Sequence, residues 1–196
     1  MVGFYNWSVV LTYFGVAISI WGSTRAVAGD YTIAFICLVL SGLCDVFDGQ
    51  IARRIKRTQD ECSFGTQIDS LADMINFVLL PVVISIKLSV PIIILIVYTL
   101  AAIIRLGYYN VKGLSNGSFL GLPVTFIAMF FPLVYCISLF FRLEIYIHYW
   151  ILILSMAVLF IVPLKVKKPK KVILGMIVIF EIVMLLFLLF NLMWGQ

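Results

Sequence analysis

Seven long apolar stretches run through this chain, and they constrain its fold more than any other feature. A helix that crosses the ~30 Å hydrocarbon core of a bilayer needs roughly 20 apolar residues. By that criterion the stretches lie at about residues 7–22, 31–53, 65–87, 91–110, 119–141, 146–164 and 172–194. Backbone polar groups inside lipid must bond within their own segment, so continuous stretches of this length predict helices rather than barrel strands. We therefore expect an all-α polytopic membrane bundle of seven transmembrane helices, or of six if one of the last two segments lies in the interface.

The composition agrees with a membrane protein. Of the 196 residues, 64% are hydrophobic and 12% are charged, whereas a soluble domain has about 45–50% apolar and about 25% charged residues. The connections between the apolar stretches are short, so we expect a single membrane domain over residues 1–196. The basic residues do not alternate with aromatic residues along a surface. We therefore expect membrane lipids, and not nucleic acid, among the partners.

Lysine and arginine are distributed unequally between the two sides of this bundle. If the N-terminus is cytosolic, the opposite side carries only Arg25, Lys87 and Arg142. The cytosolic side then carries Arg53, Arg54, Lys56, Arg57, Lys112, Lys165, Lys167, Lys168, Lys170 and Lys171. Such a bias is the positive-inside signal. It predicts a cytosolic N-terminus and, in a prokaryote, a location in the cytoplasmic membrane.

Four aspartates lie at helical spacing on two neighbouring segments. Asp45 and Asp48 are three residues apart near the end of the second segment, and Asp69 and Asp73 are four apart on the third. Residues at these spacings share one helix face. The short connection makes the two helices antiparallel neighbours, which brings the four carboxylates to a similar depth. We expect one shared acidic site near the cytosolic surface.

An acidic site of this kind requires protons or cations to neutralise it, because a charged group inside a bilayer costs about 3 kcal/mol. Hard divalent cations prefer oxygen ligands, so we expect Mg²⁺ or Mn²⁺, as two ions, with Ca²⁺ as the alternative. No His or Cys belongs to the cluster, which argues against zinc. Two metals held by such acids can clamp a diphosphate for displacement at phosphorus. A divalent-cation transporter is the alternative of a different class, although transporters more often place their acids near the bilayer midplane.

The acidic segments follow the pattern Asp45-x2-Asp48-Gly49-x2-Ala52-Arg53-x11-Gly65-x3-Asp69-x3-Asp73. This pattern, over residues 45–73, resembles the signature of the CDP-alcohol phosphotransferase family. The gap after Arg53 is longer than is common in that family, and it falls in a polar loop. The resemblance implies a membrane bundle with a six-helix core, a homodimer, and an active site open to the cytosol. It also implies that a CDP-linked lipid gives its phosphatidyl group to an alcohol and releases CMP.

The resemblance implies a role for each matched residue. Asp45, Asp48 and Asp69 would bind metal. Asp73 would be the general base on the attacking hydroxyl and a ligand to the second metal. The residues that would surround the nucleotide of the CDP-lipid are Thr12, Gly49, Ala52, Arg53 and Gly65.

Two further stretches resemble the phosphatidylserine synthase branch of the family. They are "TQIDSLADMINFVLLP" at residues 66–81 and "RLGYYNVKG…FLGLPVT" at residues 105–125. The resemblance implies CDP-diacylglycerol and L-serine as substrates. The alternatives are a sister enzyme that uses inositol phosphate or glycerol phosphate, or one that uses an archaeal CDP-lipid donor.

Serine carries a carboxylate and an ammonium group, so its pocket requires a cation. Arg105 lies within an apolar run, where an ionised side chain should face the bundle interior. We expect Arg105 to bind the serine carboxylate in a bidentate manner, with Asn110 and Lys112 as further acceptor-binding residues. The alternative is that Arg105 extends to the cytosolic lipid phosphates. Glu181 stands alone in the last segment, and we expect a helix–helix or dimer contact there.

Overall fold

The computed structural model describes residues 3, 7–52, 54–112, 118–143, 146–167 and 171–194. Seven helical rods account for most of these residues. The first two rods are α1 (Trp7–Val27) and α2 (Tyr31–Ala52). The third consists of α3 (Gln59–Met74), a π-helical turn (Ile75–Leu79) and α4 (Leu80–Lys87). The others are α5 (Ile92–Lys112), α6 (Ile127–Phe141) after a 3-10 turn (Val124–Phe126), α7 (Tyr146–Ile161) and α8 (Lys171–Trp194). Two three-residue strands, β1 (Ser118–Leu120) and β2 (Lys165–Lys167), form the remaining regular structure.

The lengths and composition of these rods fit a membrane. Five segments are long and apolar enough to cross one: Tyr31–Ala52, Gln59–Lys87, Ile92–Lys112, Val124–Phe141 and Val172–Trp194. The segment His148–Ile161 is a shorter apolar helix. Large apolar side chains such as Phe140 and Phe190 face outward, as expected where lipid surrounds a bundle. The predicted all-α polytopic membrane fold is confirmed, and each of the seven predicted segments overlaps one rod.

The central helix is α2, which packs along α1 and also contacts α6 and α8. Every side chain from residue 34 to residue 39 is buried. The Phe35 ring stacks on Tyr135 at a centroid distance of 4.4 Å and meets Phe131 edge-on at 5.3 Å. Aromatic pairs of this geometry add to the stabilisation from burial. The rigid first half of α2 thus fixes the position of its last two turns, which carry Asp45 and Asp48.

The third rod begins at Gln59, six residues before the predicted start. The Thr58 side chain accepts a hydrogen bond from the Glu61 backbone N–H at 3.2 Å, and the Glu61 carboxylate accepts one from the Thr58 backbone N–H at 2.7 Å. This capping box satisfies two backbone donors that a helix start leaves without intrahelical partners. Apolar patterning cannot find the polar first turns of α3, because they precede the apolar part of the rod.

The predicted helical segments at residues 119–141 and 146–164 are each too long. The strand β1 takes the start of the first, and in the second α7 ends at Ile161, before β2 begins at Lys165. β1 pairs antiparallel with β2, with Phe119 opposite Val166. Gly121 follows β1 with a φ of 78°, and a Cβ at this position would lie 2.5 Å from the Phe160 carbonyl oxygen. Only glycine satisfies both the left-handed turn and this close approach. The ladder ties the α5–α6 connection to the α7–α8 connection.

Candidate active site

Three of the four predicted aspartates converge. Carboxylate oxygens of Asp45, Asp48 and Asp69 all lie within 4.8 Å of one another. Asp48 is 4% exposed, Asp45 is half-buried and Asp69 is exposed. The cluster, called the aspartate triad below, is therefore closed on the α2 side and open on the α3 side. Two antiparallel helices bring these residues together, as the sequence predicts.

Asp73 lies beside the aspartate triad and one helical turn further along α3 than Asp69. It is 9% exposed and interacts electrostatically with all three members of the triad, although its oxygens are not among the converging ones. The π-helical turn begins two residues later, at Ile75. Such wide turns occur frequently at functional sites. The site thus consists of three carboxylates that converge and a fourth, that of Asp73, that lies next to them.

The donor chemistry of the aspartate triad fits a hard divalent cation. Carboxylate oxygens are the ligands that Mg²⁺ and Mn²⁺ prefer. Like charges at this separation repel one another, so a cation stabilises the arrangement. The one salt bridge between described residues joins Arg25 to Asp30, in the connection between α1 and α2. The triad can therefore hold a divalent metal ion.

Thr12 on α1 is bonded to the aspartate triad. Its Oγ1 donates a hydrogen bond of 2.6 Å to Asp48 Oδ2, and both side chains are buried. Hydrogen-bond partners of this kind orient a ligating carboxylate and tune its basicity. The resemblance to the family predicts that Thr12 lies beside the nucleotide. It does not predict the contact between Thr12 and Asp48. Sequence spacing carries no signal for it, because 36 residues separate the two positions.

Replacing Thr12 with Val should weaken Mn²⁺ binding about 10–100-fold, the usual effect of losing a partner of a metal-ligating group. Valine keeps the side-chain shape but removes the hydroxyl that holds Asp48. Titration of the purified variant with Mn²⁺ would measure the effect. The matched control is Thr24→Val near the far end of α1, where the hydroxyl bonds only the local Trp21 carbonyl. An unchanged Mn²⁺ affinity in the Thr12 variant would contradict the orienting role.

The predicted nucleotide residues on α2 and α3 lie on the two helices that carry the aspartate triad. Gly49 and Ala52 are half-buried in the last turn of α2, while Arg53 lies outside the described residues. A Cβ on Gly65 would be 3.4 Å from Nη1 of Arg57, so the glycine lets this guanidinium approach α3. Arg57 belongs to the polar loop that lengthens the gap between the two halves of the motif. Sequence analysis did not identify Arg57 as a site residue.

Among the predicted acceptor-binding residues, Asn110 contacts Ser70, the neighbour of Asp69 in sequence. Its Oδ1 accepts a hydrogen bond of 2.8 Å from Ser70 Oγ, and Ser70 directly follows Asp69. This hydrogen bond ties the end of α5 to α3. Lys112, in the last turn of α5, is exposed.

Arg105 is buried, with 5% of its surface exposed. Its Nε donates to the Leu122 carbonyl at 3.2 Å and its Nη2 to the Gly121 carbonyl at 3.4 Å. The guanidinium also lies 4.8 Å from the centre of the Tyr109 ring. The side chain therefore turns into the protein and does not extend to the surface. It also supports the connection between α5 and α6.

Two more buried polar side chains lie near the acids and were missed as site candidates. Asn76, in the π-helical turn, is 3% exposed, and its Oδ1 has no hydrogen-bond partner in the described part of the chain. A Cβ on Gly15 would lie 3.3 Å from its Nδ2, so α1 comes close at this point. Glu181 on α8 is also 3% exposed, and its Oε2 has no partner there either. The sequence feature that could have marked Glu181 as a site residue is its position as a single acid in an apolar segment.

Comparison with known proteins supports the family that the acidic motif indicates. Residues 5–162 match the sequence profile described as CDP-alcohol phosphatidyltransferase. The chain is 25% identical over 101 residues to the CDP-diacylglycerol–serine O-phosphatidyltransferase of Bacillus subtilis (strain 168), which covers 48% of this chain and 55% of that protein. It is 32% identical over 117 residues to the archaetidylserine synthase of Methanothermobacter thermautotrophicus, which covers 57% of this chain and 47% of that protein. The chain spans about half the length of the curated relatives it matches.

Proposed function

Because the chain belongs to the CDP-alcohol phosphatidyltransferase family, we propose that it acts as a CDP-diacylglycerol–serine O-phosphatidyltransferase. The serine Oγ forms a bond to the phosphorus of the phosphatidyl group, the bond from that phosphorus to CMP breaks, and CMP leaves. The observation that carries this proposal is the convergence of Asp45, Asp48 and Asp69 beside the buried Asp73. Serine as the acceptor is supported by the names of both relatives.

In this proposal the aspartate triad holds Mg²⁺ or Mn²⁺, as two ions, with Asp73 as a further ligand. Bound metal supplies charge neutralisation for the diphosphate and for the departing CMP. The nucleotide lies on the open side of the triad, against Gly49, Ala52 and Gly65, with Arg53 and Thr12 at its edges. This side faces the cytosol, and the protein is a homodimer, as in the family that the motif resembles.

Asp73 takes the proton of the serine hydroxyl as the Oγ–phosphorus bond forms. A general base must lie within hydrogen-bond reach of the proton it accepts. Asp73 lies beside the aspartate triad without belonging to it. Its carboxylate can therefore approach a serine hydroxyl that faces a phosphorus atom bound at the triad. Its burial keeps bulk water from competing for the phosphatidyl group.

Arg105, with Asn110 and Lys112, binds the carboxylate end of serine. A guanidinium has five N–H donors, and the two loop carbonyls engage two of them. The bond from Ser70 to Asn110 brings α5 against the acidic helix α3, which supports an acceptor pocket between these two helices. A phosphorylated acceptor would call for several clustered basic side chains, whereas the buried cation on this face of α5 is Arg105.

An archaeal CDP-lipid is the second candidate for the donor, since the relative with 32% identity is an archaetidylserine synthase. Both candidates predict the same acceptor and the same release of CMP. They differ only in the hydrocarbon part of the donor.

A CMP-release assay tests the proposed function. Purified protein is incubated with Mn²⁺ or Mg²⁺, with CDP-diacylglycerol or CDP-archaeol, and with serine, glycerol phosphate or inositol phosphate in turn. We expect CMP release that depends on serine. Turnover of another alcohol alongside inactivity with serine would refute serine as the acceptor. Divalent-cation flux into proteoliposomes without CMP release would favour a transporter.

Replacing Arg105 with Lys should raise the KM for serine about 10–100-fold, as expected for the loss of a hydrogen bond to a charged group. Lysine keeps the charge but cannot bind a carboxylate in a bidentate manner. The KM for CDP-diacylglycerol should not change. The control is Thr99→Val on the same helix, where the hydroxyl bonds the local Leu95 carbonyl. An unchanged serine KM in the lysine variant, or an equal rise in the Thr99 variant, would contradict direct binding.

A further inference from the structure

Glu181 is a buried acid that the proposed reaction does not use. It lies in the middle of α8, 3% exposed, and its Oε2 has no hydrogen-bond partner in the described part of the chain. The next buried positions along this helix are Met184 and Leu188, which are apolar. A carboxyl group at such a position is costly unless a partner satisfies it. Helix packing alone gives no reason for an acid here.

The Glu181 carboxyl points to the face of α2 that carries Asp45. A Cβ built on Gly42 would lie 3.5 Å from Glu181 Oε1 and 2.8 Å from the Ala128 Cβ. Glycine at position 42 thus leaves room for this carboxyl between α2, α6 and α8. Gly42 precedes Asp45 by three residues, which is the same helix face and about 4.5 Å along the axis. Glu181 also interacts electrostatically with Asp45, so it borders the acidic site from within the bundle.

No basic side chain in the described ranges pairs with Glu181. The salt bridge between described residues is that of Arg25 and Asp30. Arg105 turns to the carbonyls of the α5–α6 connection and to the Tyr109 ring. No cation among the described residues forms a salt bridge with this buried carboxyl. The ammonium group of a bound molecule has the charge and the donors to pair with it.

We propose that Glu181 binds the ammonium group of an amino-alcohol acceptor. The inference rests on the proposed function, since it assigns the second charged end of that substrate. In serine the hydroxyl and the ammonium are on neighbouring carbons, and Glu181 lies against the turn of α2 that precedes Asp45. Hydrogen bonds between an ammonium and a carboxylate are among the strong ones.

In this role Glu181 also disfavours the acceptors of sister enzymes. Inositol phosphate and glycerol phosphate bring extra negative charge and no ammonium group. A buried carboxylate at the acceptor pocket repels such anions and has no partner when they bind. Specificity of this kind relies on the unfavourable contact with the wrong ligand as much as on the favourable contact with the right one.

The test begins with the wild-type protein and two fragments of serine. Ethanolamine has the ammonium without the carboxylate, and 3-hydroxypropanoate has the carboxylate without the ammonium. Serine-dependent CMP release in the wild type establishes the proposed function independently of Glu181. We then expect both fragments to inhibit serine turnover, and 3-hydroxypropanoate to be a far poorer acceptor than serine. A wild-type enzyme that uses 3-hydroxypropanoate as well as serine would overturn the inference without any mutation.

The variant Glu181→Gln has the same shape and lacks the charge. We expect its KM for serine to rise about 10–100-fold, as for the loss of a hydrogen bond between charged groups, with an unchanged KM for CDP-diacylglycerol. Inhibition by ethanolamine should disappear, while inhibition by 3-hydroxypropanoate should persist. Met184→Leu is the matched control, because it alters packing on the same buried face of α8 and should leave both inhibitors unaffected.

A purely structural role gives a different result. It predicts a lower melting temperature or a lower kcat for Glu181→Gln, with the wild-type KM for serine and with ethanolamine inhibition intact. That outcome would overturn the assignment of the ammonium site and leave the proposed function standing. If Glu181→Gln does not fold, the comparison of the two serine fragments on the wild-type protein decides the question.

Discussion

Replacing Asp73 with Asn should lower serine-dependent CMP release by about 10²–10⁴-fold, the range that a positioned general base contributes. Asparagine has nearly the same shape as aspartate but cannot accept the hydroxyl proton. Asp73 is buried beside the aspartate triad, so bulk water is poorly placed to replace it as a base. Binding of the CDP-lipid should remain measurable, because Asp45, Asp48 and Asp69 are intact in this variant.

The experiment measures two quantities on the same preparation: the rate of CMP release and the affinity for CDP-diacylglycerol. Asp60→Asn is the matched control, since Asp60 is an exposed acid in the first turn of α3 and the change has the same chemistry. We expect this control to keep wild-type activity. An Asp73→Asn protein with more than about a tenth of the wild-type rate would contradict the general-base role, given the range above.

The sequence was sufficient to predict the bundle and the acidic site, because both depend on local periodicity. Apolar stretches of membrane-spanning length locate the rods whatever the packing between them. The spacings of Asp45 with Asp48 and of Asp69 with Asp73 place each pair on one helix face, and a short connection makes the two helices neighbours. These facts predict a shared site for all four acids, but they do not show that Asp45, Asp48 and Asp69 converge while Asp73 stands apart.

The contacts that surround the acids depend on packing between distant helices, and sequence spacing does not encode it. The hydroxyl of Thr12 meets Asp48 because α1 and α2 lie side by side over their length. Glu181 meets Gly42 because α8 returns to the same central helix. The strand pair at residues 118–120 and 165–167 was missed for the same reason, since its two halves are far apart in sequence and too short to show alternation. Such contacts need three-dimensional information.

Removal of Asp48 should have the other large effect. Asp48→Asn takes a charge from the buried side of the aspartate triad, and we expect activity to fall by about 10³-fold or more, because bound metal contributes several kcal/mol of charge stabilisation. Mn²⁺ binding, followed by the electron paramagnetic resonance signal of the free ion, should weaken in parallel. Chelation of the wild type with EDTA should abolish turnover, and added Mn²⁺ or Mg²⁺ should restore it. The control is Asp30→Asn, whose carboxylate pairs with Arg25 away from the triad.

The Asp48 and Thr12 variants together distinguish a metal-site hydrogen bond from general packing. If Thr12 acts by holding the Asp48 carboxylate, its replacement by Val should weaken Mn²⁺ binding in the wild type and have little further effect once Asp48 is Asn. Residues that act through one shared contact are non-additive in this way, whereas independent sites add. Additive losses in the double variant would contradict the action of Thr12 through Asp48. An Asp48→Asn protein that binds Mn²⁺ as tightly as the wild type would contradict the proposed metal centre.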